Sequence, residues 1–252
     1  MAAVADLMGN RCEELEILYE DGAILLADKP SGMIVHPNAW DPKAPNCVHT
    51  LARRLGRRVH NVHRLDRATS GVMVFALTSA TAAELSRQFR EREVSKRYVA
   101  VVRGHLRSSV RIDKPLPGRE GELAASVSEV EPLCTTVVRE PVGRYDEAWL
   151  SLLALTLLTG RRHQARRHLR SITHPIIGDR QYGDNRNNNL FLSLTGRREL
   201  MLRAVELRFT HPDSGERMVV SGGLPEWWRE ALDSVGLTPP ASLSRRGVEK
   251  GE

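Results

Sequence analysis

The sequence predicts an α+β fold in which a mixed, largely antiparallel sheet is flanked by helices and loops. Strand-like and helix-like segments alternate irregularly along the 252 residues, without the regular βαβ spacing of a doubly wound fold. The longest apolar stretch, residues 148–158, is too short to cross a membrane and is typical of a buried strand. No internal repeat or heptad pattern is present. With 41% hydrophobic residues, the chain can build a substantial core.

The N-terminal half begins with residues 1–14, which resemble a flexible leader. Short apolar runs, separated by turn residues, predict a series of small elements after it. These are a hairpin over residues 15–27, a short strand at 33–36, a polar loop at 37–47 and a short helix at 49–55.

The middle of the chain carries a continuous apolar run at Gly71–Leu77, which predicts a buried strand. Thr81 and Glu84 have the spacing of a capping box, which predicts the start of a helix. Alternation over residues 96–103 predicts another strand.

The C-terminal half shows the same irregular order of elements. We expect a hairpin within residues 108–128, a central strand at 148–158, a helix at 161–171, a polar loop at 185–189, a strand at 201–209 and a helix at 224–232. One domain should therefore span residues 15–238, and residues 239–252 should form a disordered tail.

The charge and the cysteines narrow the class of protein. A formal net charge of +6 favours a polyanionic partner such as nucleic acid, although many basic proteins bind none. Three cysteines without a CxxC pair predict neither a disulfide framework nor a zinc site. The acidic N-terminus lacks the apolar segment of a signal peptide. These features together predict a cytoplasmic protein.

Asp66 is the first candidate for chemistry, because it lies between two arginines in a turn that leads into the buried strand at 71–77. Nearby cations favour the carboxylate form of an Asp, and an ionised carboxylate can act as a nucleophile or a base. A structural ion pair at a turn would give the same local pattern.

A second candidate is the segment 161–170, which holds five Arg, two His and no acidic residue. In a helix, Arg162, Arg166 and Arg170 would share one face, where like charges call for an anionic partner. A solvated helix face is the alternative. Tyr98 is a third candidate, either as a ring that stacks on a base or as an ordinary core residue. His60 with His63, or Cys47 with His49, lacks a third metal ligand at convincing spacing.

Together, four ordered segments resemble the RluA family of pseudouridine synthases. They are ADKPSGMIVHP at 27–37, HRLDRATSGV at 63–72, KRYVAVVRG at 96–104 and TGRRHQARRHLRSITHPIIGDRQYG at 159–183. The resemblance covers about residues 15–225 and implies the pseudouridine synthase fold. It also implies that 15–238 is the catalytic domain, without an N-terminal S4 RNA-binding domain.

The resemblance assigns roles to individual residues. Asp66 would be the catalytic aspartate, Arg166 would pair with it, and Tyr98 would stack on the target uracil. Arg64 would fill the gap left by the flipped nucleotide, and Arg161 is a weaker candidate for the pairing role. RNA contacts are further expected from Arg162, His163 and Arg170.

The resemblance implies an isomerase that needs no cofactor or metal and works as a monomer. Within the family, the finer match is to members that modify tRNA at uridine 65. A ribosomal RNA substrate is the alternative of the same class, and a non-catalytic RNA-binding module or a metal hydrolase would be a protein of another class. Whether Asp66 attacks C1′, attacks C6 or removes the 2′ proton stays open.

Overall fold

The apolar runs of the sequence form the centre of one large sheet in the computed structural model, which describes residues 15–37, 44–118 and 121–251. The strands are β1 (Glu16–Glu20), β2 (Ile24–Lys29), β3 (His60–Asn61), β4 (Ser70–Ala76), β5 (Ser95–Arg103), β6 (Val110–Asp113), β7 (Leu116–Pro117), β8 (Leu123–Ala124), β9 (Val127–Val138), β10 (Ala148–Leu157), β11 (Leu202–Thr210), β12 (Arg217–Gly222) and β13 (Arg246–Gly251). The helices are α1 (Cys47–Leu55), α2 (Ser79–Glu91), α3 (Gln164–Ser171), α4 (Asn185–Thr195) and α5 (Glu226–Ser234), and a short 3-10 helix covers Ala241–Ser244.

The main sheet has the strand order β1-β2-β4-β11-β5-β10-β9-β6, and β12 and β13 extend it from one end of β11. Within the described residues, β4 and β11 pair in parallel and the other strand pairs are antiparallel. The predicted α+β architecture with a mixed, largely antiparallel sheet is therefore confirmed.

Helical segments cover both faces of the sheet. α3 packs on one face, where Gln164 Nε2 donates to Ser128 Oγ at 3.0 Å. The segment after α5 packs on the other, where Gly236 lies next to Thr136. No helix in the described ranges combines the length and apolar character needed to cross a bilayer.

Gly71 explains why the strand after Asp66 can approach β11 so closely. Its φ is 120°, and a Cβ at this position would lie 2.0 Å from the carbonyl oxygen of Ala204. Only glycine fits such a contact between two backbones. The resulting β4–β11 pairing places the Asp66 turn beside the centre of the sheet.

A buried ion pair ties β11 to β2. The guanidinium of Arg203, which is 2% exposed, binds both carboxylate oxygens of Asp28 at 3.0 and 2.5 Å. It also donates to the carbonyl of Gly223 at 2.7 Å. Removing one partner of such a pair costs about 3–5 kcal/mol, because the other charge stays buried.

Several helix starts differ from the sequence predictions. α2 begins earlier than Thr81, because Thr78 Oγ1 accepts a hydrogen bond from the backbone N–H of Thr81 at 3.1 Å. α1 begins at Cys47, capped by Asn46. α3 begins at Gln164, so the arginines at 161 and 162 precede it.

The predicted polar loop at 185–189 is wrong, because these residues open α4. The Asp184 carboxylate caps the helix by accepting from the backbone N–H of Arg186 and Asn187 at 3.0 and 3.2 Å. Phe191, 1% exposed, anchors the helix in the core.

The predicted disordered tail is wrong for residues 239–251, since they form the 3-10 helix and β13, which pairs with β12. The predicted strand at 33–36 is reduced to one bridge between Ile34 and Asn46. The predicted leader at 1–14 lies outside the described residues, as do residues 38–43 of the predicted loop.

Candidate active site

The turn that carries Asp66 is held by the turn between β2 and α1. Within the Asp66 turn, the backbone N–H of Thr69 donates to the carbonyl of Asp66 at 3.1 Å. From the neighbouring turn, Gly32 N donates to Arg67 O at 2.8 Å, and Ser31 Oγ donates to Ala68 O at 2.9 Å. The carboxylate is therefore carried on a backbone fixed at two sides, with 22% of its side chain exposed.

Lys29 supports this turn from within the protein. Its fully buried ammonium donates to the carbonyls of Pro30, Met33 and Arg67 at 2.8, 2.7 and 3.2 Å. Burial lowers the pKa of Lys29 to about 8, while the nearby Cys47 and Asp66 act in the opposite direction. Lys29 thus places a cation under the Asp66 turn and uses its donors to hold the backbone.

Arg166 lies on the other side of Asp66 and connects two carboxylates. Its Nη1 is 3.4 Å from Asp66 Oδ2, whereas its Nε and Nη2 bind the two oxygens of Asp179 at 2.7 and 2.9 Å. Arg166 and Asp66 lie together as the resemblance implied, but the bidentate bond of Arg166 is to Asp179. Arg166 therefore offers Asp66 a single, long contact and is itself fixed by Asp179.

Asp179 is held in turn by the backbone that follows it. Its Oδ1 accepts from the N–H groups of Gln181 and Tyr182 at 2.9 and 3.0 Å. Burial acts to raise the pKa of Asp179, but Arg166 and these N–H groups bring it below its ordinary value. The charged pair of Asp179 and Arg166 thus forms a rigid support behind Asp66.

His163 reaches Asp66 from the start of α3, where it adopts a left-handed φ of 53°. Its Nε2 is 3.8 Å from Asp66 Oδ2, and its Nδ1 is 3.1 Å from the hydroxyl of Tyr182. Burial lowers the pKa of His163, although the charge of Asp66 opposes this. A neutral imidazole therefore borders the carboxylate near neutral pH.

Tyr98 lies on β5, close enough to Asp66 for the charge of that carboxylate to act on its phenol, and it is 8% exposed. Burial, together with the negative charge of Asp66, raises the pKa of Tyr98, so the phenol stays neutral. No hydrogen bond joins its hydroxyl to another residue in the described part of the chain. An aromatic ring without a fixed polar partner therefore borders Asp66.

The remaining predicted residues form no hydrogen bond or ion pair with Asp66 in the described part of the chain. Arg64, Arg162 and Arg170 are exposed, and none has an ion pair with the described residues. Arg161 Nε donates to the carbonyl of Ala125 beside the β7–β8 hairpin at 3.2 Å. The predicted common face of three arginines is wrong, because Arg162 precedes α3 and Arg166 is buried among carboxylates.

His63, three residues before Asp66, has a structural role. Its ring stacks on Phe89 with centroids 4.5 Å apart, and its Nε2 accepts from the backbone N–H of Val74 at 3.1 Å. Burial, with a contribution from the charge of Lys96, lowers the pKa of His63 to about 3. His63 is therefore a neutral acceptor that anchors β4.

This position predicts a defined acid sensitivity. Between pH about 6.5 and about 3, the unfolded chain binds a proton at His63 that the folded protein does not, so the free energy of unfolding falls as pH falls. His63→Gln keeps an acceptor for Val74 N but does not titrate. Urea unfolding at several pH values should show the wild type losing up to about 1.4 kcal/mol per pH unit relative to this variant. Parallel curves for the two proteins would contradict the assignment.

Asp179, Tyr182 and Lys29 are site residues that were quoted in the sequence segments without a role. The only signal for Asp179 in the sequence was its place directly after Gly178, and the structure explains that glycine, because a Cβ there would lie 1.9 Å from the carbonyl oxygen of Glu199. Close backbone contact requires glycine at position 178. The backbone there is therefore fixed, and it holds the carboxylate of Asp179 in a fixed place. For Lys29, the available signal in the sequence was a lysine at the end of the apolar run that forms β2.

The site as a whole joins the Asp66 carboxyl group, a fixed guanidinium and an aromatic ring whose hydroxyl has no hydrogen bond among the described residues, bordered by exposed arginines. Such a site suits a reaction on a base turned out of a nucleic acid, which needs a stacking ring and a charged group at the sugar. The fold and the site together define an RNA-modifying enzyme of the pseudouridine synthase class. The family model for RNA pseudouridylate synthase matches residues 23–171, and the chain belongs to this family. It is therefore an enzyme that isomerises uridine to pseudouridine in RNA.

Relatives place the chain more closely within this family. It is 39% identical over 234 residues to tRNA pseudouridine synthase C of Haemophilus influenzae, covering 88% of this chain and 98% of the relative. It is 37% identical over 235 residues to tRNA pseudouridine synthase C of Salmonella typhimurium, covering 88% and 90%. Among solved structures, Human RNA Pseudouridylate Synthase Domain Containing 4 aligns with a TM-score of 0.69 and 25% identity, covering 89% of this chain and 94% of that chain. The pseudouridine synthase fold expected from the sequence is confirmed.

Proposed function

We propose that this enzyme modifies tRNA, at a uridine of the position 65 type, with Asp66 as the catalytic carboxylate. The observation that carries the proposal is the placement of Asp66 Oδ2 at 3.4 Å from the fixed guanidinium of Arg166 and beside the ring of Tyr98. The tRNA substrate is supported by the relatives named tRNA pseudouridine synthase C, which the chain matches over nearly their whole length.

The reaction breaks the N1–C1′ bond of uridine, turns the uracil and joins C5 to C1′. A carboxylate can begin it by attacking C1′, by attacking C6 or by removing the 2′ proton, and each of these steps requires the ionised form. Arg166 keeps a positive charge at the side chain of Asp66, and its own position is set by Asp179. A fixed positive charge thereby lies beside the carboxylate before substrate binds.

The detached uracil must be retained while it turns. The ring of Tyr98 offers a flat apolar surface, on which a base can rotate in its plane without leaving. Because the hydroxyl of Tyr98 is neutral, no second anion competes with Asp66 for the substrate. Turning the nucleotide out of its stack costs a few kcal/mol, and insertion of the exposed Arg64 into the gap offsets part of that cost.

The substrate is tested by mapping pseudouridines in total tRNA and ribosomal RNA from cells with and without the gene. We expect loss of one tRNA pseudouridine, at position 65, with the ribosomal sites unchanged. Loss of a ribosomal pseudouridine alone would contradict the tRNA proposal and identify ribosomal RNA as the substrate. Purified protein should release tritium from C5-labelled uridine in the same tRNA, and absence of release would contradict direct catalysis.

Tyr98 provides a test of the stacking surface. Tyr98→Phe should retain most of the activity, since the ring remains, whereas Tyr98→Leu should lower kcat by about 10²-fold through loss of the flat surface. Tritium release at saturating tRNA measures both. Equal kcat for the Leu variant and the wild type would refute the stacking role.

A further inference from the structure

A groove of about 950 Å³ lies at the end of the sheet where β5 stops and β10 begins. Arginines and aromatic rings line it, contributed by the β9–β10 turn, the start of β10 and the start of α4. The residues that matter for its chemistry are Arg103, Arg144, Tyr145, Trp149, Asp184 and Arg186. None of them touches Asp66.

The groove contains exposed aromatic surface. Tyr145 is 57% exposed and Trp149 is 40% exposed, and they are two of the three exposed large hydrophobic residues in the described ranges. The indole of Trp149 stacks on His105 with centroids 4.9 Å apart and an interplanar angle of 8°. One face of the indole is thus backed by a second ring, which suits a base that stacks on the other face.

The groove also contains cations without an acidic partner. Arg144 interacts with the ring and hydroxyl of Tyr145, and the guanidinium of Arg186 lies over Gly143. Neither has a carboxylate partner within the described part of the chain. Asp184, by contrast, is already bound to Arg103 at 2.6 Å and caps α4. Glu147 also lines the groove, so its three arginines and two acids leave a net charge of +1, which is the sign that a phosphate backbone requires.

The groove lies on the substrate side of the sheet. Leu155 of β10 is opposite Tyr98 of β5, and Trp149 precedes Leu155 by six positions without a register shift between these two strands. Since side chains alternate along a strand, Trp149 and Tyr98 project from the same face, about 20 Å apart along the strands. The segment 179–186 connects the two places, because Asp179 binds Arg166 and Arg186 lines the groove.

We infer that this groove binds the RNA substrate outside the catalytic centre, stacking a base on Trp149 and placing phosphates at Arg144 and Arg186. The inference rests on the proposed function for the choice of tRNA as the ligand. The combination of exposed rings and arginines without an acidic partner favours RNA, which offers both bases and phosphates. An acidic protein segment would pair with the arginines but leave the indole face without a planar partner.

The test measures the Kd of a tRNA transcript containing uridine 65 at several salt concentrations. Trp149→Leu should raise Kd about 10-fold, which corresponds to about 1.4 kcal/mol, without changing the salt dependence. Trp149→Phe should recover most of the affinity. Arg186→Ala should weaken binding and reduce the slope of log Kd against log salt by about 0.7–0.9. The kcat/KM of Trp149→Leu and Arg186→Ala for tRNA should fall in parallel with their affinity.

Arg229→Ala is the matched control, because this exposed arginine of α5 does not line the groove, and it should leave Kd and the salt slope unchanged. Wild-type Kd in both Trp149→Leu and Arg186→Ala, with normal thermal unfolding, would overturn the inference and favour an acidic protein partner. A wild-type enzyme that leaves the tRNA unmodified would instead contradict the proposed substrate. The two failures are therefore distinguishable.

Discussion

Asp66→Asn should reduce pseudouridine formation by at least about 10³-fold while tRNA affinity stays within about 3-fold of the wild type. The amide has nearly the same shape as the carboxylate but carries no charge, so it can neither attack nor accept a proton. Single-turnover tritium release and a separate binding measurement give the two quantities.

The structure explains why this variant should fold normally. Arg166 has its strong bonds with Asp179 and keeps them when Asp66 is neutral. The lost contact of 3.4 Å involves a partly exposed carboxylate and contributes no more than about 1 kcal/mol. Asp213→Asn, an exposed carboxylate in the β11–β12 turn, serves as the control. Activity of Asp66→Asn near that of this control would end the catalytic assignment.

Asp179→Asn should affect both stability and rate, because Asp179 acts through Arg166. Neutralising one partner of the buried pair leaves the guanidinium without its bidentate anion, and we expect the free energy of unfolding to fall by about 3 kcal/mol. Arg166 then shifts toward Asp66, and displacement of a positioning group by about 1 Å can lower kcat about 10²-fold.

The kinetic pattern separates positioning from general damage. kcat should fall while KM for tRNA stays near the wild-type value, because the exposed arginines that face RNA are unchanged. Measurements well below the melting temperature of the variant keep the protein folded. A fall in stability with unchanged kcat would show that Asp179 supports only the fold.

The sequence allowed the centre of the site to be predicted, because its residues lie in short segments with fixed spacing. The apolar run after Asp66 predicted β4, and the alternation around Tyr98 predicted β5. Residues 66 and 166 are brought together by a contact across the sheet that no local pattern contains. Only the resemblance to a family made that contact an expectation.

The bidentate bond between Arg166 and Asp179 could not be predicted from the sequence, for a physical reason. A guanidinium has donors for two carboxylates, and sequence spacing does not show which one receives the paired donors. The more buried acid, Asp179, receives them, since burial makes an unpaired charge there costlier. Burial of a single side chain depends on the whole fold and is not encoded nearby.

The C-terminal elements were missed because their local patterns are weak. β13 has the sequence RGVEKG, which lacks apolar alternation, and it is held by backbone hydrogen bonds to β12. α4 starts with polar residues, and its apolar anchor Phe191 comes only in its second turn. In both cases, neighbours distant in sequence decide the structure.

The ion pair of Asp28 and Arg203 also brings the first and last described strands to one place. Arg246 of β13 binds Glu16 of β1 at 2.5 Å and Asp28 at 3.2 Å. These ion pairs link β13 to β1 and β2, in addition to its backbone pairing with β12. Deletion of residues 246–251 would therefore remove side-chain contacts from β1 and β2 and expose the backbone edge of β12.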